Sequence, residues 1–377
     1  MFADLNTPYY LYDLSLLRDT LSALDVASKK YGYHIHYALK ANSNTRIVRE
    51  ILNFGFGVDC VSGNEIKKSL ALNCPSSTIV FAGVGKRDDE ILLAMESDIA
   101  MFHCESIHEL KVINELAIEA QKQVNVAIRV NPNVDAKTHF YITTGIEENK
   151  FGIEACNLIE AIECCNSLSN INFRGLHFHI GSQIMQLDVF SRLAQKVNII
   201  VNDLMDHNIT IDYLNLGGGL GINYEQPDKA IIPDFDSYFK AFYDILILPK
   251  NISIHFELGR SVVGQSGSLI TKVLFIKSGS KRNFAIVDAG MTELIRPALY
   301  GAYHQIECLE NNIDSKILKY DIVGPICESS DVFGKAIALP ELKRGDRIKI
   351  RSAGAYGEVM RLNYNQRDIA PAFYIDD

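Results

Sequence analysis

A lysine directly follows an apolar run at Ala38-Leu39-Lys40-Ala41-Asn42. Such an amine, desolvated, loses its proton and forms a Schiff base with an aldehyde; solvated, it is a surface lysine. Phe178-His179-Ile180-Gly181-Ser182-Gln183 presents a histidine that can be a base, a ligand, a flat stacking face or a core residue. His177 has the same parity as His179, but no carboxylate or cysteine spacing turns the two into a metal site. Leu216-Gly217-Gly218-Gly219-Leu220-Gly221 holds three successive glycines. These either let backbone N–H groups approach an anion without Cβ clashes or make a tight turn. In Glu257-Leu258-Gly259-Arg260 a carboxylate precedes an arginine by three residues, as a salt bridge or as half of a binding site. Further along stand Arg296-Pro297-Ala298-Leu299-Tyr300, Cys327-Glu328-Ser329-Ser330-Asp331 and Gly354-Ala355-Tyr356-Gly357. A cysteine in a polar, acidic stretch is either a proton donor or a buried free thiol. Cys60, Cys104 and Cys308 lie in or beside apolar runs and read as core.

The elements that must position these residues are legible as a repeat of strand and helix. HIHYALK, GVDCV, TIVFAG, IAMFHC, NVAIRVNP, FRGLHFHIG, YLNLGGG and ISIHFELG are eight β-rich runs within residues 33–258. Stretches such as 107–121, 157–168 and 189–207, apolar at spacings of three and four, read as helices between them. Near-continuous apolar strands alternating with helices predict a parallel sheet, and eight such units fit a (β/α)8 TIM-like barrel; an open doubly wound sheet is the competing arrangement. After residue 258 the runs LITKVLFIKSG, KRNFAIVDAG, KYDIVGPI and GDRIKIRSAG are separated by turn residues rather than helices. They predict a mainly antiparallel β domain, which the N-terminal strand TPYYLYDL can join. The expected division is a barrel over 16–258 and a β-sandwich or β-barrel-like domain from 1–15 and 259–377. Barrel chemistry sits at the strand ends, and barrel phosphate sites favour the loops after strands seven and eight. Lys40 ends the first strand, His179 the sixth, the glycines the seventh and Glu257 the eighth. A phosphate-cradling loop, a Schiff-base lysine and a strand-end carboxylate converge on pyridoxal phosphate, whose ring stays an electron sink while its nitrogen is kept protonated.

Composition excludes other classes. With 37 basic against 46 acidic side chains and a net charge of −9, the chain lacks the basic stripe of a nucleic-acid binder. At 47% hydrophobic and 22% charged it is not disordered. No apolar run approaches the roughly 18–20 residues of a membrane span, and the N-terminus does not read as a signal peptide. Eight scattered cysteines without a CxxC argue against a disulfide framework and against structural zinc, so no metal is expected. The expected location is the cytoplasm.

The segments YALKAN, GVDCVSGNEI, RVNPNVDAKTHFYITTG, KFGI, HFHIGSQI, LNLGGGLGI, ELGRSVVG, RPALYGAYH, CESSD and GAYG, in this order, span nearly the whole chain. Together they resemble the alanine-racemase-like, fold-type-III pyridoxal-phosphate enzymes, and within them the diaminopimelate decarboxylase family. YALKAN is shared by many relatives, whereas TG…KFG, HIGSQ and CESSD in combination mark this branch. The resemblance implies decarboxylation of meso-2,6-diaminopimelate to L-lysine and carbon dioxide, the last step of lysine biosynthesis. It implies that Lys40 holds pyridoxal 5'-phosphate covalently, that His179 stacks on the ring and that Ser182 and Gly217, Gly218 and Gly219 contact the phosphate. Glu257 would pair with the ring nitrogen, with Gly259, Arg260 and Tyr356 beside the cofactor. Arg260, Arg296 and Tyr300 would hold the substrate's distal carboxylate, Glu328 its distal amino group, and Tyr356 would also reach the substrate. Cys327 would protonate the substrate carbon, and homodimers would share sites, with Cys327 and Glu328 reaching the partner's barrel. Leu258 stands where relatives commonly have proline, which removes a fixed φ and leaves the carboxylate and arginine in place. Alternative readings are a related decarboxylase acting on carboxynorspermidine, ornithine, lysine or a D-amino acid, and a non-catalytic regulatory homologue. A racemase would need a tyrosine acid/base where this chain has the CESSD cysteine.

Overall fold

A computed structural model describes residues 5–134, 150–310 and 315–376. The part of RVNPNVDAKTHFYITTG from residue 135 onward, with the TG that precedes KFG, lies outside the described residues. The chain forms two compact units: Leu21–Gly221 with Asp234–Gly259, and Met1–Thr20 with Ile222–Pro233 and Arg260–Asp377.

The chain starts with β1 (Tyr9–Asp13) and α1 (Leu14–Tyr31). Strand and helix then alternate through β2 (His34–Ala38), α2 (Thr45–Leu52), β3 (Gly57–Cys60), α3 (Gly63–Ala71), β4 (Ile79–Phe81), α4 (Asp88–Glu96), β5 (Met101–Cys104) and α5 (Ile107–Glu119). There follow β6 (Val124–Asn131), a short β7 (Ile153–Glu154), α6 (Leu158–Ser167), β8 (Ile171–His177), α7 (Asp188–Asp206), β9 (Tyr213–Asn215), α8 (Phe235–Tyr243) and β10 (Ser253–Leu258). Strands β2, β3, β4, β5, β6, β8, β9 and β10 pair in that order, all parallel. Strand β10 returns to β2, with Glu257 opposite His36 and Leu258 opposite Tyr37, which closes the barrel. These are the eight runs read from the sequence. The observed helices begin and end within two residues of the predicted spans. Their ends are specified locally: the hydroxyl of Ser62 accepts the Glu65 N–H (3.3 Å) and that of Ser106 the Glu109 N–H (3.1 Å). The two glutamates reach back to the N–H groups of Val61 (2.7 Å) and Glu105 (2.6 Å), a variant of the capping box.

Burial on both sides explains the near-continuous apolar strands, of which β4, wholly Ile-Val-Phe and wholly buried, is the extreme. Every other barrel strand carries a buried polar side chain: His36, Asp59, His103, Arg129, His177, Asn215 and Glu257. Burying such groups is costly unless they are hydrogen-bonded, so their partners matter.

The second unit holds α9 (Arg260–Val263), β11 (Gly267–Ser278), β12 (Asn283–Val287), α10 (Arg296–Tyr300), β13 (Ile306–Cys308), β14 (Ile317–Val323), β15 (Val332–Pro340), β16 (Arg347–Ile350) and β17 (Ala372–Ile375). The sheet runs β13-β16-β11-β12-β14-β15, and β1 joins it antiparallel to β11 and parallel to β17. The domain is thus mainly antiparallel and takes in the N-terminal strand, as the sequence predicts, although β12 and β14 pair in parallel. Strands β13, β15 and β17 carry no clear alternation and are not visible in the sequence pattern. Cys60 and Cys104 are core residues, but Cys308 is only half-buried, its thiol facing the Glu310 carbonyl at 3.9 Å. Among the described residues no helix is long and apolar enough to cross a membrane.

Candidate active site

Lys40 sits in a single tight helical turn, Leu39–Ala41, directly after β2. Its ammonium donates to Asp59 Oδ2 at 2.9 Å, from the neighbouring strand β3. Asp59 is fully buried, and burial together with the Glu257 charge raises its carboxyl to about 6 against the pull of Lys40. Its other oxygen, Oδ1, is buried without a hydrogen-bond partner among the described residues. Gly259 allows the end of β10 to pack on this turn, since a Cβ there would lie 2.9 Å from that of Ala41.

Glu257, on β10 beside β2, is 4% exposed. Its Oε1 accepts a hydrogen bond from Asn215 Nδ2 (2.9 Å) and its Oε2 one from His177 Nε2 (3.1 Å). His103 Nδ1 lies 3.1 Å from Oε1, off the line of a good hydrogen bond. Burial alone pushes this carboxyl up; His177 and His103 more than reverse that, and Glu257 is held well below the usual carboxylate range. Burial lowers the His177 imidazole to about 3. The pair is therefore an ionised carboxylate receiving N–H donation from a neutral ring.

The loops after β8 and β9 are joined where the Ile184 N–H donates to the Gly219 carbonyl (2.9 Å) and the Gly221 N–H to the Ile184 carbonyl (3.0 Å). That joint brings His179 and Ser182 alongside the glycine triplet. The Gly218 N–H points at His179 Nδ1 over 3.4 Å. Burial, with Arg129 and Lys40 adding to it, holds His179 well below its ordinary value, so its ring is neutral. Gly217 and Gly219 have φ of 69° and 102°, and a Cβ on Gly218 would run into the Glu257 carbonyl oxygen. The Gly217 N–H is committed to Asn215 Oδ1 at 2.8 Å.

In the second unit Arg260 and Arg296 are both buried. Arg260 Nη1 donates to the Tyr224 hydroxyl at 2.6 Å, and its guanidinium lies 4.8 Å from the Tyr356 ring centroid. Arg296 lies 4.8 Å from the Tyr224 ring and donates to His304 Nε2 at 2.9 Å. The other ring nitrogen of His304 bonds the Arg351 carbonyl at 2.8 Å, so that nitrogen carries the proton and Nε2 is the acceptor. Tyr224 thus gathers two guanidiniums, an arrangement that favours an anion. Tyr300 is half-buried at the end of α10, and Tyr356 has a left-handed backbone (φ 56°) that costs a non-glycine residue about 1–2 kcal/mol. Cys327 and Glu328 are exposed on the turn between β14 and β15, where Glu328 Oε1 accepts from the Tyr364 hydroxyl at 3.1 Å. The aspartate of CESSD anchors that turn: buried Asp331 accepts the N–H groups of Met291 (2.6 Å) and Ile326 (2.8 Å).

The barrel's donor set suits pyridoxal phosphate. A buried carboxylate held ionised by the histidines beside it matches a cationic ring nitrogen, a neutral imidazole offers a stacking face, and Lys40 supplies an amine one strand away. Sequence reasoning missed Asp59, His103, Tyr213, Asn215, Tyr224 and His304. For the first four the available signal was a polar residue inside an apolar strand; for Tyr224 and His304 there was none.

Residues 17–264 match the family described as "Pyridoxal-dependent decarboxylase, pyridoxal binding domain". The chain is 51% identical over 377 residues to the diaminopimelate decarboxylase of Bacteroides thetaiotaomicron, covering 100% of this chain and 97% of that protein. To the Neisseria meningitidis serogroup B diaminopimelate decarboxylase it is 40% identical, over 98% of this chain and 88% of the relative. The crystal structure of the Helicobacter pylori diaminopimelate decarboxylase complexed with L-lysine superposes with a TM-score of 0.93 at 38% identity, covering 100% of this chain and 93% of that one. With the barrel, its lysine and its ionised glutamate already in place, these likenesses show that the chain belongs to the diaminopimelate decarboxylase family of pyridoxal-dependent decarboxylases.

Proposed function

We propose that this chain decarboxylates meso-2,6-diaminopimelate to L-lysine and carbon dioxide with pyridoxal 5'-phosphate as cofactor. The observation that carries the chemistry is the buried, ionised Glu257 on the strand next to the one that ends in Lys40. Lys40 would hold the cofactor, Glu257 its ring nitrogen, His179 its ring face, and Ser182 with Gly217, Gly218 and Gly219 its phosphate, with Gly259, Arg260 and Tyr356 alongside. When bound, the cofactor supplies a protonated ring that takes up the electron pair left by departing carbon dioxide. The chain's own residues choose the substrate and place the proton. Arg260, Arg296 and Tyr300 grip the distal carboxylate, for which a planar guanidinium is better shaped than an ammonium. Glu328 takes the distal ammonium, and Tyr356 orients the bound substrate. The Cys327 thiol gives its proton to the substrate carbon that has lost its carboxylate.

The same reading includes a homodimer with shared sites. Its support is the exposure of Cys327 and Glu328 in the single chain, where water would compete for both the ammonium and the proton. A cytoplasmic location fits the eight free cysteines.

The test offers purified protein and pyridoxal phosphate four substrates: meso-diaminopimelate, ornithine, lysine and carboxynorspermidine. Carbon dioxide release from diaminopimelate, with L-lysine as product, is expected. Release from another substrate instead reassigns Arg260, Arg296 and Glu328. No release from any of them, with cofactor bound, favours the regulatory homologue.

A further inference from the structure

Glu257 can serve a ring nitrogen only as a carboxylate, yet it lies where burial favours the neutral acid. We propose that His177, His103 and Asn215, with Tyr213 setting the tautomer of His103, are positioning residues that turn only hydrogens toward Glu257, and so keep the cofactor's ring nitrogen protonated. This rests on Glu257 being the partner of that nitrogen.

The direction of each bond follows from its neighbour. The Gly217 N–H donates to Asn215 Oδ1 at 2.8 Å, which fixes the amide so that Nδ2 faces the barrel. That Nδ2 donates both to Glu257 Oε1 (2.9 Å) and to the Tyr213 hydroxyl oxygen (3.2 Å). Tyr213 is fully buried among barrel side chains, stays protonated, and has its own hydrogen left to give to His103 Nε2 at 3.0 Å. With Nε2 accepting, His103 carries its hydrogen on Nδ1, which faces Glu257 Oε1 at 3.1 Å as an electrostatic contact rather than a well-aligned hydrogen bond. His177 and His103 stack at 4.1 Å with their planes 22° apart, which disfavours a positive charge on both. A neutral His177 donates from Nε2 to Oε2. Asn215 and His177 donate to the carboxylate, and the other bonds fix which atoms face it.

Two other roles fit the geometry less well. The ligand atoms of His103, His177 and Glu257 lie within 4.8 Å of one another, but both imidazole nitrogens facing the carboxylate carry hydrogens in this network, and no lone pairs converge for a metal ion. A proton relay to the far end of the barrel would have to pass from Tyr213 to His255. Those two meet as tilted rings 4.4 Å apart rather than through any hydrogen bond among the described residues, and His255 instead bonds His36 at 3.0 Å.

The experiment loads the full-length protein with pyridoxal phosphate labelled with nitrogen-15 in the ring and reads the ring-nitrogen shift, alongside the cofactor Kd. Wild type is expected to show a protonated nitrogen, and Glu257→Gln an unprotonated one. The His103→Phe/His177→Phe double variant should move the shift toward the unprotonated position and weaken cofactor binding by roughly 10- to 100-fold, as loss of outer hydrogen-bond partners does at metal sites. His177→Gln, which keeps an N–H donor and covers the case in which the double variant does not fold, should stay near wild type, whereas His177→Leu should not. A wild-type shift in both the double variant and His177→Leu, with Glu257→Gln unprotonated, overturns the positioning role alone. A protonated nitrogen in Glu257→Gln overturns the assignment of Glu257 itself, and the proposal with it.

Discussion

Proton delivery to carbon is the step in which a single side chain matters most, and Cys327 is the group proposed for it. Cys327→Ala is expected to bind cofactor normally and to lose turnover by about 10²–10⁴-fold, the usual worth of a general acid; unchanged carbon dioxide release would remove the thiol from the mechanism. Asp59 offers a test with a pH signature. Its carboxyl is raised from 3.8 to about 6 in the folded protein. Between those values the unfolded chain has lost its proton and the folded chain has not, so the contribution of Asp59 to stability falls as pH rises from about 4 to about 6 and is flat above. Cofactor-free wild type should lose thermal stability relative to Asp59→Asn across that window, and a difference that stays constant from pH 4 to 7 would show that the raised value is wrong.

The glycine loop between β9 and α8 is a packing device as well as the proposed phosphate loop. A Cβ on Gly218 meets the Glu257 carbonyl. Gly218→Ala should therefore displace the loop from His179 and weaken cofactor binding about tenfold, or about 1.4 kcal/mol, read as a change in Kd; an unaltered Kd would mean that the loop relaxes without consequence. The barrel itself was legible because parallel strands buried on both sides leave unbroken apolar runs between helices with serine caps such as Ser62 and Ser106. Lys40, His179, the glycines and Glu257 could be found because they stand at the ends of those runs. His103, Tyr213 and Asn215 stood out only as polar residues inside apolar strands; that His103 on β5 and Asn215 on β9 converge on Glu257, with Tyr213 joining them, follows from barrel closure, which no chain spacing encodes. Arg296 was visible as a charge, but the ring of Tyr224 beneath it and the fixed tautomer of His304 beside it were not. In CESSD the cysteine and glutamate drew notice, while Asp331, which holds the turn, looked like one more polar residue.

For the molecule as a whole, the proposed sharing of sites makes a prediction that no single-chain experiment can. Lys40→Ala and Cys327→Ala proteins, each nearly inactive alone, should regain up to about a quarter of wild-type turnover per site when mixed dimers form at random, provided each site draws its lysine from one chain and its cysteine from the other. Demonstrated heterodimers without recovery would place both groups within one chain. The donor-lined Glu257 has a further consequence, one that concerns the life of the protein rather than its reaction. Folding takes its charge out of water before any cofactor arrives. If Glu257 is the ring-nitrogen partner proposed above, the empty chain carries a buried anion that awaits its counter-ion, and mass action makes the loaded form the more stable one. Cofactor supply should then act on stability as well as on activity, with the loaded protein opening less often than the empty one.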